Sequence, residues 1–268
     1  MINIVPIEFT SIQEIKENFN FYKNKFINDS VVVFRNANLT HQDHVEINKI
    51  FGSNLGWSNF FEKESGEVDN YVEDHARVKD ILTTTSDEII VFWHIEHVYY
   101  NNPIIAATWN MLTFNTDNEN GKTYFVDSSR LYEKLSDEWK SFLDSCIVGM
   151  GKFDVDIKFE DYKPIGRHWI TDKPVIRLRL DKLDGATNTL VSINGETPTE
   201  KEQKTFTDIC SWFNNEVITN EDLRMVHRWQ KGDLVLVDLF RLAHAVTGGF
   251  NPIDRKFVGI WGYKKPAL

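Results

Sequence analysis

Cysteine is scarce in this 268-residue chain: Cys146 and Cys210 are the two present, and neither sits in a CxxC or CxxH spacing. That excludes a disulfide framework and a zinc knuckle, and both are read as buried thiols. Basic residues are outnumbered, 30 Lys and Arg against 40 Asp and Glu, for a net charge of −10. Nucleic acid and anionic membranes are bound through basic faces, so neither is expected as a partner. A small molecule is expected instead, and a homo-oligomer stays open. Long apolar runs are missing as well: nothing approaches the roughly 18 residues of a membrane span. Met1 to Pro6 lacks the basic segment and apolar run of a secretion signal, so a cytoplasmic location is the expectation. With no internal repeat, low-complexity tract or Pro/Gly/Ser-rich linker, one domain over residues 1–268 is the economical reading.

What the chain does have is apolar and aromatic mass, 41% and 13%, including eight Trp and nineteen Phe. That composition favours β architecture over a helical bundle. Ser11 to Glu14 has the form of a capping box, opening a helix through Phe19, Tyr22 and Phe26 to about residue 28. The run Val31 to Arg35 reads as a strand, and Thr40 to Asp43 repeats the cap signature before a helix that should close at Gly52. Further strands are expected at 89–99, 104–114, 123–127, 175–180, 188–193, 234–246 and 255–263, with helices at 131–146 and 199–215. Together these imply mixed α and β structure, a sandwich or barrel of the jelly-roll kind with helices outside it.

The chemistry is concentrated in three side chains. On a strand, His94 and Glu96 point to one face, bringing an imidazole and a carboxylate to one point. His244, from a later strand, completes a two-histidine, one-carboxylate face, which suits ferrous iron that must also bind a cosubstrate and dioxygen. Gly248 to Pro252 supplies turn chemistry. A hairpin pairing of 234–246 with 255–263 would then set Arg255 beside His244, where a guanidinium can pair bidentately with a carboxylate of a bound dicarboxylate. Asp238 is read as a structural acid at a strand end. His41, His44, His75, His168 and His227 show no partner pattern and default to core or solvated histidines.

These residues sit among longer matches: Val32 to Arg35, Phe51-Gly52, Trp93 to Glu96 with Pro103, Gly121 to Asp127, Gly232 to Val235 with Asp238 and His244, and Arg255. In that order and spacing the chain resembles the taurine dioxygenase-like branch of the iron(II)/2-oxoglutarate oxygenases. The resemblance implies a double-stranded β-helix (jelly-roll, cupin-like) core with flanking helices. It implies iron ligation by His94, Glu96 and His244, and a 2-oxoglutarate carboxylate held by Thr123 and Arg255. Glu96 stands where most of the branch has aspartate, a variant similar to clavaminate synthase and its amino-acid hydroxylase relatives. Lys122 and Leu239 also depart from the pattern.

The expected activity is therefore an iron(II)- and 2-oxoglutarate-dependent dioxygenase that consumes O2, releases succinate and CO2, and hydroxylates a small molecule, an amino acid or amine-containing metabolite being favoured. Desaturation or another radical outcome stays open. So does a non-catalytic sensor of 2-oxoglutarate or iron, whereas a zinc hydrolase with the same triad would have no need of Arg255 and Thr123. The stretch 62–88 carries nine acids against Lys63, Arg77 and Lys79, a net of −6. It reads as a mobile lid over about 58–88. Glu73, Asp74 and His75 within it, together with Arg167, are the candidate substrate contacts.

Overall fold

The computed structural model describes residues 1–59, 90–96, 98, 103–117, 119–150, 161–180 and 187–264. Most of the expected lid, with Glu73, Asp74 and His75, lies outside the described residues. Two short strands, β1 (Ile2–Asn3) and β2 (Ile7–Glu8), precede helices α1 (Ile12–Glu17), α2 (Phe19–Asp29) and α3 (His41–Leu55), with β3 (Val31–Arg35) between the last two. After β4 (Trp57–Asn59) the strands are β5 (Ile90–His94), β6 (Ile104–Phe114), β7 (Thr123–Asp127), β8 (Cys146–Met150), β9 (Ile165–Arg167), β10 (Pro174–Ile176) and β11 (Asn188–Ile193). The chain closes with β12 (Arg224–His227), β13 (Leu234–Asp238), β14 (Leu242–Thr247) and β15 (Arg255–Lys264). The remaining α-helices run Ser128–Lys134, Asp137–Ser145 and Glu200–Thr219.

Two sheets carry the architecture, one ordered β1-β12-β7-β14-β5 and the other β2-β3-β13-β6-β15-β4. The two-residue period of a strand sorts their side chains into three layers. From β3 and β13, Val32, Phe34, Leu234 and Leu236 join Ile15, Phe26, Ile47 and Phe51 of the three N-terminal helices. The alternate residues, Val31, Val33, Val235 and Val237, join Trp109, Met111, Phe125 and Trp229 in a layer shared by the two sheets. On the far side, Tyr124, Val126, Ala243 and Ala245 pack with Phe206, Ile209 and Phe213 of the helix Glu200–Thr219. Strands buried on both faces read as continuous apolar runs, as Val31 to Phe34 does. The jelly-roll core with flanking helices is thus present.

Several boundaries differ from expectation. The first predicted helix is two, because Asn18 breaks it with φ −105° and ψ 24°. The Ser11 side chain does accept from the Glu14 N–H, but the Glu14 carboxylate accepts from Asn18 and Tyr22 instead of closing the capping box. The third helix passes through Gly52 and ends at Gly56, whose φ is +86°. Gly52 serves a close approach: a Cβ there would stand 2.8 Å from the Trp57 indole nitrogen. The expected helix 131–146 is split by the Ser136 N-cap, and the one begun at Thr199 runs a turn further than expected.

The largest correction concerns 234–246. Asp238 accepts from the Arg241 N–H at 3.4 Å and ion-pairs with its guanidinium at 2.8 Å, closing a turn that splits the expected strand. β13 then joins one sheet and β14 the other. The predicted hairpin between β14 and β15 does not form: β15 pairs with β6 and β4, and β14 with β7 and β5.

Candidate metal and cosubstrate site

His94 is the last residue of β5 and the register partner of His244 on β14. Their ring centroids lie 4.0 Å apart. Glu96 lies beyond the strand end, in a turn, so strand alternation is not what aims it. The turn nevertheless sets Glu96 Oε1 3.8 Å from His94 Nε2. One ligating atom from each of His94, Glu96 and His244 falls within 4.8 Å of the others. Trp109 and Phe125 flank the His244 ring, at 5.3 and 6.3 Å between centroids, and Glu96 and His244 are both buried. Two imidazoles and one carboxylate in this convergence fit a divalent first-row metal that keeps positions for exogenous ligands.

Arg255 begins β15, where it is the register partner of Phe114 in the opposite sheet from His244. It is buried, and its Nε donates to the Gly121 carbonyl at 3.1 Å while Nη2 donates to Thr123 Oγ1 at 3.3 Å. Trp229, Phe250 and Phe257 surround the guanidinium at 5.4–5.5 Å from its carbon to each ring centre. Among the described residues no carboxylate comes within ion-pair distance of it. Desolvation alone pushes its pKa down to about 10. Gly121, with φ +63°, makes room for the arginine stem: a Cβ would meet Arg255 Cδ at 2.8 Å. Thr123 is the N-terminal residue of β7, next in the sheet to β14, so it shares a sheet with the two histidines while Arg255 reaches it from the other sheet.

A buried charge network forms at the turn between β13 and β14. Asp238 accepts from His168 Nε2 at 2.8 Å besides pairing with Arg241, whose guanidinium also lies 3.7 Å from Asp127. Asp238 is the structural acid the sequence suggests. His44, His168 and His227 are all core histidines.

The model of the taurine catabolism dioxygenase TauD, TfdA family matches residues 9–261. The chain belongs to this dioxygenase family. It is a 2-oxoglutarate-dependent dioxygenase, and iron(II), 2-oxoglutarate and O2 are its cofactors. A search of the curated proteins finds no significant match. Among solved structures it is similar to a taurine dioxygenase from Burkholderia xenovorans, 18% identical with a TM-score of 0.65 over 98% of this chain and 87% of that one. It is also similar to AAD-2 in complex with Mn(II) and N-oxalylglycine, at 16% identity and TM-score 0.66 over 99% and 95%. A third is a putative alpha-ketoglutarate dependent 2,4-D dioxygenase from Burkholderia xenovorans, at 15% and 0.62 over 98% and 92%. At these identities the structural likeness speaks to the fold.

Of the sequence-predicted residues, the structure brings His94, Glu96 and His244 together, and separately Thr123 and Arg255. Arg167 is exposed at the end of β9 and donates to the Asp172 carbonyl at 3.2 Å. Among the described residues no hydrogen bond or ion pair ties it to the triad or to Arg255. Sequence reasoning passed over Trp229, which touches both Thr123 and Arg255. The available signal was its place just before Gly232-Asp233, where a piece that resembles the family begins. No described helix is long and apolar enough to cross a membrane.

Proposed function

We propose that this dioxygenase hydroxylates a small molecule, an amino acid or amine-containing metabolite, with His94, Glu96 and His244 as iron ligands and Thr123 and Arg255 as the 2-oxoglutarate anchor. The observation that carries the reading is Arg255, a buried cation with no carboxylate beside it among the described residues. Such a charge is costly unless an anion joins it. A dicarboxylate ligand would offset that cost through charge-assisted hydrogen bonds worth about 1.5–3 kcal/mol.

Thr123 complements this. Its oxygen accepts from Trp229 Nε1 at 2.8 Å and from Arg255 Nη2 at 3.3 Å, so both lone pairs are engaged and its proton is what remains to give. A carboxylate accepts such a proton. N-oxalylglycine, present in one structural neighbour, copies the two carboxylates and the oxo group of 2-oxoglutarate, which supports the same reading. Together with bound 2-oxoglutarate and O2, the iron centre supplies an oxidation in which one oxygen atom goes to succinate, the other to a substrate C–H bond, and CO2 leaves. Trp109 and Phe125 pack on the His244 ring and cover that ligand with apolar surface.

The preference for an amine rests on the net −6 of residues 62–88 and on Glu96 in place of the commoner aspartate. Glu73, Asp74, His75 and Arg167 stay in the proposal as substrate contacts. One domain across the chain is part of the same reading, supported by the family match over residues 9–261. A metabolite panel scored by iron(II)-dependent succinate release is the test, and a free or derivatised amine should stimulate release most. Stimulation by sulfonates or aryloxy acids alone would remove the substrate class, and iron-independent turnover would remove the ligand assignment.

A further inference from the structure

We propose that Trp229 is a positioning residue for the cosubstrate: its indole N–H commits the Thr123 hydroxyl to donate, and its ring braces the Arg255 guanidinium. The inference deepens the proposed function and rests on the reading that Thr123 and Arg255 hold the distal carboxylate of 2-oxoglutarate.

Trp229 follows β12 by two residues, and His227 on that strand is the register partner of Thr123. The strand pairing therefore delivers the indole to the start of β7. The ring is almost wholly buried, at 1% exposure, so its one polar atom needs a partner. It finds Thr123 Oγ1 at 2.8 Å. An indole N–H can only donate, as can a guanidinium. With Arg255 Nη2 on the same oxygen at 3.3 Å, the threonine is surrounded by donors and cannot turn to accept from a ligand. The site is thereby made selective for a group that only accepts, which describes a carboxylate.

The same ring lies 5.5 Å from the guanidinium carbon and stacks on Phe257, with centroids 6.1 Å apart and planes at 11°. Phe257 and Phe250 each stand 5.4 Å from that carbon. Aromatic faces favour the cation at this range and limit its tilt. Among the described residues, Trp229 alone joins a hydrogen bond to Thr123 with a ring face on Arg255.

The test is calorimetric binding to the Mn(II)-loaded protein of two acids: 2-oxoglutarate, and 2-oxopentanoate, which carries a methyl where the distal carboxylate would be. Trp229→Phe keeps an aromatic ring and removes the N–H. The Kd for 2-oxoglutarate should rise by about three- to tenfold, the measure of one neutral hydrogen bond. That for 2-oxopentanoate should stay as in the wild type, which also certifies the fold. In a Thr123→Val background the same substitution should add little further loss. Trp229→Tyr, closer in volume, carries the same expectation should the phenylalanine variant fail to fold. Unchanged 2-oxoglutarate binding, equal weakening of both acids, or full additivity with Thr123→Val would each overturn the inference. Arg255→Gln separates the two levels. If it weakens 2-oxoglutarate while Trp229→Phe does not, Trp229 alone is dismissed; if neither does, the anchor reading falls and this inference with it.

Discussion

His94 and His244 are register partners on neighbouring antiparallel strands, with ring centroids 4.0 Å apart. The pairing makes the separation of the two imidazoles a property of the sheet, while Glu96 is delivered by a turn. The carboxylate is therefore the ligand with the least backbone constraint among the three.

Replacing that carboxylate should separate binding from folding. Glu96→Ala should abolish iron-dependent succinate release, with a thermal unfolding midpoint close to the wild type, since no strand or core layer is disturbed. Activity assay and calorimetry on the same preparation check this; an equal succinate yield would remove Glu96 from the site.

Arg255→Gln should leave metal binding intact and raise the KM for 2-oxoglutarate. Loss of a charge-assisted contact of about 1.5–3 kcal/mol corresponds to roughly ten- to hundredfold. Steady-state kinetics in 2-oxoglutarate at saturating iron read the effect, and an unchanged KM would dismiss Arg255.

Gly121→Ala probes the same anchor from the backbone. The added methyl would lie 2.8 Å from Arg255 Cδ and 3.1 Å from Phe250, at a φ of +63° that side chains resist. The variant should lose 2-oxoglutarate affinity and some stability together. Wild-type affinity in a folded Gly121→Ala protein would show that the guanidinium has room to give.

How much of this was legible in the sequence depends on the range of the interaction responsible. Residue type and order pointed to His94, Glu96, His244, Thr123 and Arg255 without coordinates, and the fold brings the first three together and sets Thr123 beside Arg255. The reasons offered for their convergence fared less well. Glu96 was placed by strand alternation, yet β5 stops at His94. Arg255 was placed by a hairpin, yet it arrives from the opposite sheet through β6. Both errors come from non-local pairing, which a pattern of two-residue periods cannot distinguish. The break at Leu239 to Arg241 was hidden because Asp238, the residue that closes it, has the parity of a continuing strand. Gly52 looked like a helix stop, and its true reason, the Trp57 indole, belongs to the next element.

Asp238 also yields a stability prediction. It is fully buried, and it faces both His168 and Arg241 at 2.8 Å. Asp238→Ala would leave His168 Nε2 and Arg241 Nε without that carboxylate in the core, a loss expected at about 3–5 kcal/mol. Urea denaturation should show it as a lowered midpoint, and a shift near zero would mean that the network relaxes around the gap.

His44 predicts a pH dependence of folding. Burial holds its pKa down near 4, against an ordinary 6.5, despite its contacts to Thr108. The native protein thus sheds a proton that the unfolded chain keeps across that window. Stability is fully present above about pH 6.5 and should decline as the pH falls toward 4, by about 1.4 kcal/mol per unit from this group. Burial lowers the pKa of His227 as well, adding loss in the same direction. A His44→Gln variant should show a shallower slope of unfolding free energy between about pH 6.5 and pH 4.5. Parallel slopes would assign the dependence to other groups.

The central claim, that His94, Glu96 and His244 hold iron within reach of a 2-oxoglutarate anchored by Arg255 and Thr123, is tested most directly by anaerobic visible spectroscopy. Adding iron(II) and then 2-oxoglutarate to the wild-type protein should produce a weak charge-transfer band that neither addition produces alone. Glu96→Ala should lack the band, and Arg255→Gln should require more 2-oxoglutarate to reach it. No band from the wild-type protein at saturating iron(II) and 2-oxoglutarate would contradict the account.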